Sequence, residues 1–281
     1  MNERLRKHWF SWSVLGLGFA FLYLPILILM VYSFNESKLA TVWSGFSFKW
    51  YVKLFHDKAM LDAAWLSIRI AFWTACGAVI LGTLASLVMT RMRRFHGKTL
   101  FGALITAPLV MPDVILGLSM LLMFVSLGSF GGFEAKGVYS IWIAHVTFTL
   151  AFVTVVISSR MAELDKSLEE AAMDLGANRA KVFFQITLPI IAPALVAGWL
   201  LAFTLSLDDV VIASFVSGPG STTLPIKVFS SVRRGLNPEI NAVATIMVMV
   251  VALGAVAAWW WMRHEERRRQ RDMQLALQDN G

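Results

Sequence analysis

The sequence predicts an all-α, polytopic membrane protein with six transmembrane helices and a helical loop on one membrane face. Two features of the composition lead to this fold class. Of the 281 residues, 57% are hydrophobic and only 15% are charged, which is too apolar for an ordinary soluble domain. The hydrophobic residues also fall into six runs of about 20 residues or more, the length that crosses the hydrocarbon core of a bilayer.

The net charge of +7 could indicate a nucleic-acid partner, but the arrangement of the charges excludes that class. The basic residues lie in short clusters between the apolar runs, as membrane topology requires, and not on a phosphate-binding face. The lone Cys76 lies inside an apolar run, so no intrachain disulfide is possible and a packing role is expected.

We expect a single transmembrane domain over residues 1–281. The first run is longer than the core of a signal peptide and no small-residue cleavage pattern follows it, so we expect it to be retained as a span. The six predicted spans cover residues 12–34, 65–90, 100–127, 138–159, 190–216 and 242–262.

Small residues mark span two as an interior helix. Ala78, Gly82 and Ser86 recur every four residues, a spacing that lets another helix approach closely where lipid supplies no hydrophobic drive. Arg69 falls near the outer end of this span, where its side chain is expected to extend to the membrane interface.

Span three is expected to be broken, because Pro108 and Pro112 interrupt the helical hydrogen bonds just before Asp113. Irregular backbone at membrane depth is tolerated only where protein or a water-filled cavity satisfies it, so Asp113 is expected to face inward. In span four, a lone His145 is more typical of a hydrogen-bonded structural residue than of a proton relay.

Residues 160–189 form a polar connector with its own helix signals. Ser167 and Glu170 have the spacing of a capping box, which predicts a helix that begins at Leu168. We expect this helix to end at Gly176 in the left-handed conformation. Its apolar stripe, at helical spacing, consists of Leu168, Ala171, Ala172 and Leu175.

A second short helix is expected to begin after Asn178, a good capping residue, and to stop at Pro189. Neither connector helix is long or apolar enough to cross a bilayer. The segment is therefore a folded loop on one membrane face, and one alternative is that it lies on the lipid surface as an amphipathic connector.

The spacing within this loop resembles the EAA loop of the inner-membrane permease subunits of binding-protein-dependent ABC importers. The resemblance implies a type I ABC importer permease, in which this loop couples the spans to a cytoplasmic ATPase. Every position of the pattern is filled here, and the implied ATPase-coupling residues are Glu170, Ala171, Ala172, Gly176, Ile186, Leu188 and Pro189.

The distribution of Lys and Arg gives the orientation independently of the motif. With both termini in the cytoplasm, sixteen of the 25 basic residues fall in cytoplasmic segments and eight in outer loops. The cytoplasmic set includes four in the loop from Arg91 to Lys98, and the outer set includes Arg233 and Arg234. The positive-inside rule therefore predicts that residues 160–189 lie in the cytoplasm.

Three acids fall within predicted spans: Asp113, Asp208 and Asp209. Insertion of a charged side chain at the centre of a transmembrane helix costs about 2.5 to 3.5 kcal/mol of free energy. Each acid therefore requires a partner or a water-filled cavity. Successive residues on a helix differ by about 100°, so Asp208 and Asp209 are not expected to face the same pore. Fixed negative charge along a translocation path favours a cation as cargo, whether an inorganic ion, a proton or an organic amine.

Four further segments resemble the permease subunits of putrescine and spermidine importers, over residues 20–258. They read TAPLVMPDVILGLSM, IWIAHVTF, LAFTLSLDDVVIASFVSGPGSTTLP and NPEINAVATI. The resemblance makes Asp113, Asp208 and Asp209 candidate partners for the ammonium groups of a diamine, with Trp142 and Trp199 as candidate cation–π contacts. The alternative is that the acids hold helices together by pairing with a sister subunit.

The resemblance also implies the partners: a sister permease in a heterodimer, two ABC ATPase subunits, a periplasmic polyamine-binding protein and membrane lipid, but no nucleic acid. The implied location is the bacterial inner membrane, with multiple spans. The sequence contains no P-loop motif, no nucleophile elbow and no His/Cys cluster with metal spacing, so it predicts no enzyme activity, no metal and no cofactor.

Several alternatives remain open from the sequence. The chain could belong to an importer of the same family for another solute, such as an amino acid, sulfate or an iron complex. It could instead be an ion-gradient-driven carrier or a channel whose acids relay protons, or a purely structural membrane subunit. The residues do not separate putrescine from spermidine as cargo.

Overall fold

A computed structural model of the chain describes residues 2–38, 42–92, 95–129, 134–233 and 238–279. Within these residues the chain is helical, with one isolated antiparallel bridge between Asn35 and Phe46 and no strand. The predicted all-α class is therefore confirmed. Arg93, Arg94 and Arg234, which the topology count includes, lie outside the described residues.

The helices follow the predicted runs closely, with shorter helices between them. In chain order they are α1 Asn2–Tyr32, α2 Lys49–His56, α3 Lys58–Arg91, α4 Lys98–Thr106, α5 Asp113–Ser129, α6 Val138–Glu163, α7 Lys166–Asp174, α8 Arg179–Val182, α9 Leu188–Asp208, α10 Val211–Val216, α11 Leu224–Arg233 and α12 Glu239–Asp279.

Five stretches in the described part of the chain are long and apolar enough to span a membrane: Ser11–Tyr32, Lys58–Arg91, Val138–Glu163, Arg179–Asp208 and Glu239–His264. A bent pair of helices adds a further apolar stretch, with the geometry of a broken span or a re-entrant loop. Lys98–Leu109 and Asp113–Ser129 meet the same criteria together and are bent by 114°. The break predicted from Pro108 and Pro112 is thus present, since the bend falls at residues 110–112 between the two helices.

The fifth span differs from its predicted range. It starts at Arg179, inside the connector, and ends at Asp208, and the separate helix α10 follows. A π-turn at Phe183–Thr187 lies directly before Pro189. Proline cannot close an α-turn and its ring clashes with the carbonyl four residues earlier, and a wider turn accommodates both defects. The prediction that Pro189 stops the second connector helix is therefore wrong.

The chain divides into two compact units, of which the first comprises Met1–Leu61 and Val228–Leu253. Its polar interior is built on Trp50, which is 4% exposed and donates its indole N–H to the carbonyl oxygen of Asn35 across 2.7 Å. Lys53 forms an ion pair of 2.7 Å with the buried Glu239.

The second unit comprises Asp62–Lys227 and Gly254–Gly281 and contains two hydrophobic clusters. One cluster joins α5, α6 and α10 around Phe124, Ile141 and Ile212, and the other joins α3, α6 and α9 around Val153 and Ile191. Helix α6 contributes to both clusters. It is therefore the helix around which this unit packs.

The small-residue face of α3 packs closely on α6, as predicted. A Cβ atom on Gly82 would lie 2.9 Å from Val153 Cγ1, closer than carbon atoms pack. Four residues further along α3, Ser86 donates a hydrogen bond to the carbonyl oxygen of Thr154 across 3.0 Å. The close approach thus brings a backbone acceptor on α6 within reach of a side chain on α3.

Candidate coupling loop and intramembrane acids

The first connector helix, α7, begins two residues earlier than its predicted start at Leu168. Asp165 is the N-cap, and its carboxylate accepts a hydrogen bond from the backbone N–H of Ser167 across 2.9 Å. The same hydrogen bond lowers the pKa of Asp165. The predicted capping box at Ser167 is wrong, because the extended backbone at Asp165 lets this carboxylate take the orphan N–H first.

Helix α7 presents its apolar stripe to the outside of the chain. None of its residues is buried, and Leu168 is 50% exposed. Leu175, the last residue of the stripe, is 90% exposed. Since the described chain covers neither leucine, the stripe is a surface on which another molecule or the lipid could lie.

The two predicted turn signals after α7 are confirmed. Gly176 has a φ of +87°, in the left-handed region that favours glycine, and its N–H donates to the carbonyl oxygen of Met173. The side chain of Asn178 accepts a hydrogen bond from the N–H of Lys181 across 2.8 Å and caps α8. Glu170 and Pro189 are exposed, whereas Ile186 and Leu188 are half-buried.

A polar network ties α7 to the ends of other helices. Arg91 Nε, at the end of α3, lies 2.9 Å from Glu169 Oε2. Thr187 donates its hydroxyl to Glu169 Oε1 across 2.9 Å, and Arg91 Nη1 donates to the carbonyl oxygen of Met161 in α6 across 3.2 Å. Arg91 and Glu169 are 78 residues apart and no local pattern pairs them, so this network is not predictable from the sequence.

Asp209 is engaged within the chain. Its carboxylate accepts hydrogen bonds from the backbone N–H groups of Ile212 and Ala213 and so caps α10. It also lies 3.2 Å from Nε2 of His145, whose Nδ1 lies 2.7 Å from Ser206 Oγ. The expectation that His145 is hydrogen-bonded within the chain is therefore confirmed.

The two adjacent acids have different surroundings, but not through the predicted helical rotation, because α9 ends at Asp208 and Asp209 has extended backbone beyond it. The side chain of Asp209 is 8% exposed, whereas Asp208, the last residue of α9, is exposed. Asp208 therefore keeps a carboxylate that is accessible from outside the chain.

Asp113 occupies the first position of α5, directly after the bend in span three. It was expected to face inward, but its side chain is exposed, so this chain alone does not enclose it. Within the described residues, no hydrogen bond joins Asp113 to Asp208 or Asp209. The structure thus brings Asp209 together with His145 and leaves Asp113 and Asp208 open to other molecules.

The two tryptophans lie in different settings. Trp199 donates its indole N–H to Cys76 Sγ across 3.4 Å and stacks on Phe203 with 5.2 Å between ring centroids. Trp142 is 36% exposed and lines a cavity of about 350 Å³ together with Arg69, Trp73 and Tyr139. A cation in this cavity would meet the positive charge of Arg69.

Comparisons with known proteins agree with this geometry. Residues 78–271 match the family described as "Binding-protein-dependent transport system inner membrane component". The chain is 62% identical over 241 residues to the putrescine transport system permease protein PotI of Escherichia coli (strain K12), covering 85% of this chain and 86% of that protein. It is 43% identical over 231 residues to the spermidine/putrescine transport system permease protein PotC of Haemophilus influenzae, covering 82% and 88%.

The fold is also similar to solved structures. A chain of a bacterial ABC transporter involved in the import of the acidic polysaccharide alginate has a TM-score of 0.74 at 16% identity, covering 93% of this chain and 98% of that one. The MetNI methionine ABC transporter has a chain with a TM-score of 0.62 at 15% identity, covering 73% and 95%. At these identities the likeness concerns the fold alone.

The family match covers more than half of the chain, and the PotI relative aligns over most of both proteins. The family match and the apolar helices together make this chain a non-catalytic, multi-pass inner-membrane protein. The protein belongs to the family of inner membrane components of binding-protein-dependent transport systems, the permease subunits of ABC importers.

Proposed function

We propose that this chain is the permease subunit of an ATP-driven polyamine importer. The observation that carries the proposal is the identity of 62% to a putrescine transport system permease over 85% of the chain. In this proposal the chain pairs with a sister permease, docks on two ATPase subunits and receives its cargo from a periplasmic polyamine-binding protein.

The exposed stripe of α7 supports a docking role for the loop of residues 160–189. Small residues at Ala171 and Ala172 allow close approach, and the leucines offer apolar surface that is not covered within the described chain. The proposed ATPase-coupling residues are Glu170, Ala171, Ala172, Gly176, Ile186, Leu188 and Pro189.

The continuity of Arg179–Asp208 supports a mechanical route from the ATPase to the cargo. This stretch of 30 residues, about 45 Å long if helical throughout, begins inside the proposed docking loop and ends at Asp208. Movement of the loop when the ATPase subunits close would therefore displace the far end of the same helix. In the proposed cycle this displacement switches the path between outward-facing and inward-facing states.

The exposed carboxylates of Asp113 and Asp208 are the proposed partners of the ammonium groups of the cargo. Each is open to other molecules, and a fixed negative charge attracts a cation. Asp209 already accepts three hydrogen bonds within the chain, so its role in the path is to hold the break beside Asp208. Trp199 is engaged in packing and Trp142 shares its cavity with Arg69, so both are weaker candidates for cation–π contacts.

The function is tested by uptake of labelled putrescine and spermidine into liposomes that contain the full assembly. We expect uptake that requires ATP and resists an uncoupler of ion gradients. Butanediol, which has the carbon chain of putrescine but no charge, is the matched control and should show no ATP-dependent accumulation. Uptake that persists without ATP and collapses with an uncoupler would favour the ion-gradient carrier instead.

We also propose that both termini and the loop of residues 160–189 face the cytoplasm, on the basis of the distribution of basic residues. The test uses a chain with Cys76→Ala and one added cysteine. Ser167→Cys in α7 should react with an impermeant thiol reagent only from the cytoplasmic side. Lys49→Cys in α2 is the matched control and should react only from the opposite side; the reverse pattern would overturn the topology.

A further inference from the structure

We infer that Arg91, Glu169 and Thr187 form the link that transmits movement of α7 to the transmembrane helices, so that Glu169 and Arg91 are positioning residues for transport. This inference rests on the proposed function, in which the loop of residues 160–189 docks on an ATPase. We call Arg91, Glu169 and Thr187 the coupling link.

Packing alone does not hold α7 against the membrane helices. The helix has no buried residue. Beside it lies a cavity of about 580 Å³ lined in part by Leu87, Met92, Met173 and Phe183. A helix that rests beside open space can shift without moving its neighbours, since few atoms are in contact to transmit the displacement.

The coupling link bridges this space with short polar contacts. Glu169 Oε1 lies 3.1 Å from Arg91 Nε and 2.9 Å from the hydroxyl of Thr187, while Oε2 lies 2.9 Å from Arg91 Nε. Arg91 Nη1 reaches the carbonyl oxygen of Met161. One carboxylate on α7 is thus joined to α3, to the π-turn that leads into α9 and, through Arg91, to α6.

Burial makes this ion pair stronger than a surface pair. The side chains of Arg91 and Glu169 are 13% and 15% exposed, whereas Arg160 and Glu163, an ion pair at the end of α6, are 47% and 67% exposed. Charge-assisted hydrogen bonds shielded from water are among the strong ones, and exposed pairs contribute little. In the described part of the chain, Arg91 Nη2 is buried without a hydrogen-bond partner, so the guanidinium depends heavily on the charge of Glu169.

The two adjacent acids of α7 differ in exposure, although both line this cavity. Glu170 is exposed and Glu169 is half-buried in the link, as the rotation of about 100° between successive helical residues dictates. Glu170 and the leucine stripe are therefore free to meet a docked partner while Glu169 stays joined to the spans. This division lets one short helix bind on one side and transmit movement on the other.

The experiment measures uptake per ATP hydrolysed by the full assembly in liposomes. Glu169→Gln keeps the size of the side chain and an acceptor for Thr187 but removes the charge that faces Arg91. Arg91→Gln removes the other charge, and Arg91→Glu combined with Glu169→Arg restores an ion pair with reversed polarity. Asp62→Asn is the matched control, because it neutralises an exposed acid of α3 outside the loop of residues 160–189.

We expect both single variants to assemble with the ATPase subunits and to hydrolyse ATP, with uptake per ATP hydrolysed lowered about 5- to 150-fold, the usual range of coupling between sites. The reversed pair should recover much of this ratio, and Asp62→Asn should leave it unchanged. Thr187→Val, which removes one donor and keeps the ion pair, should give an intermediate ratio.

Three results would overturn the inference. One is an unchanged ratio in Glu169→Gln and Arg91→Gln, and another is a reversed pair that recovers nothing. The third is loss of ATPase association in the single variants, which would make the link a docking or folding element. If the unaltered assembly takes up no polyamine, the proposed function fails instead, so the two failures are distinguishable.

Discussion

His145 and Asp209 form a buried pair that fixes the end of α9, with Nε2 of the imidazole 3.2 Å from Oδ2 of the carboxylate. The two side chains are 1% and 8% exposed, and the carboxylate also caps α10. The pair therefore holds the break in the backbone directly after Asp208, the last residue of α9. Its consequence is a division of roles between two adjacent acids, one structural and one accessible.

Removal of the Asp209 side chain is expected to destabilise the protein. Asp209→Ala leaves His145 without its partner and removes two hydrogen bonds from the first turn of α10, so the free energy of unfolding should fall by about 1.5 to 3 kcal/mol, the range for hydrogen bonds to a charged group. Thermal unfolding of the detergent-solubilised chain measures the effect. Asp208→Ala is the matched control and should change stability little, since that side chain is exposed. Equal losses in the two variants would contradict the division of roles.

Neutralisation of the accessible acids is expected to slow uptake without affecting assembly. Asp208→Asn and Asp113→Asn should each lower diamine uptake about tenfold or more, because a hydrogen bond between charged groups contributes about 1.5 to 3 kcal/mol. Asp62→Asn, at an exposed acid near the start of α3, serves as the control. Unchanged uptake in both Asp208→Asn and Asp113→Asn would remove these residues from the path.

Gly176→Pro is expected to abolish the turn between α7 and α8. Proline fixes φ near −65°, whereas Gly176 has a φ of +87°. The altered connector should no longer present α7 to an ATPase, so both ATPase association and uptake should be lost. Co-purification with the ATPase subunits measures the first effect and labelled uptake the second.

The control for this variant is Gly220→Pro, which places proline at another left-handed glycine, φ +75°, outside the connector. Local strain should be comparable there, yet ATPase association should persist. Retention of association and uptake in Gly176→Pro itself would show that the loop of residues 160–189 is not the coupling element.

The start of α7 is expected to loosen at low pH. The hydrogen bond from Ser167 N–H lowers the pKa of Asp165 below its ordinary 3.8, so the stabilisation is fully present above the ordinary pKa. It is lost as pH falls through the lowered pKa, because the carboxyl then binds a proton. Hydrogen exchange of the first turn of α7, corrected for the intrinsic rate, should show protection that decreases over this acidic range.

Asp165→Asn provides the comparison, because its amide oxygen can cap α7 but does not titrate. Protection in this variant should be independent of pH across the same range. A pH-dependent loss of equal size in both proteins would assign the effect to another group.

The sequence by itself determined the class, the apolar runs, the connector and its turns. These depend on local quantities: the length of an apolar run, the prolines in span three, the left-handed preference at Gly176 and the cap at Asn178. Each of these signals acts within a few residues along the chain. The local structures that they specify therefore form independently of how the helices pack.

Only the tertiary structure decided which polar residues meet. Arg91 and Glu169 are 78 residues apart and His145 and Asp209 are 64 apart, and such pairs depend on how helices pack. Two local details also differed from the sequence-based expectation. The extended backbone at Asp165 took the cap from Ser167, and a π-turn carried the helix through Pro189. The first is a local hydrogen bond between near neighbours, whereas the second belongs to a helix whose Ile191 and Ala202 are buried in a hydrophobic cluster, and such burial outweighs a local preference to end the helix.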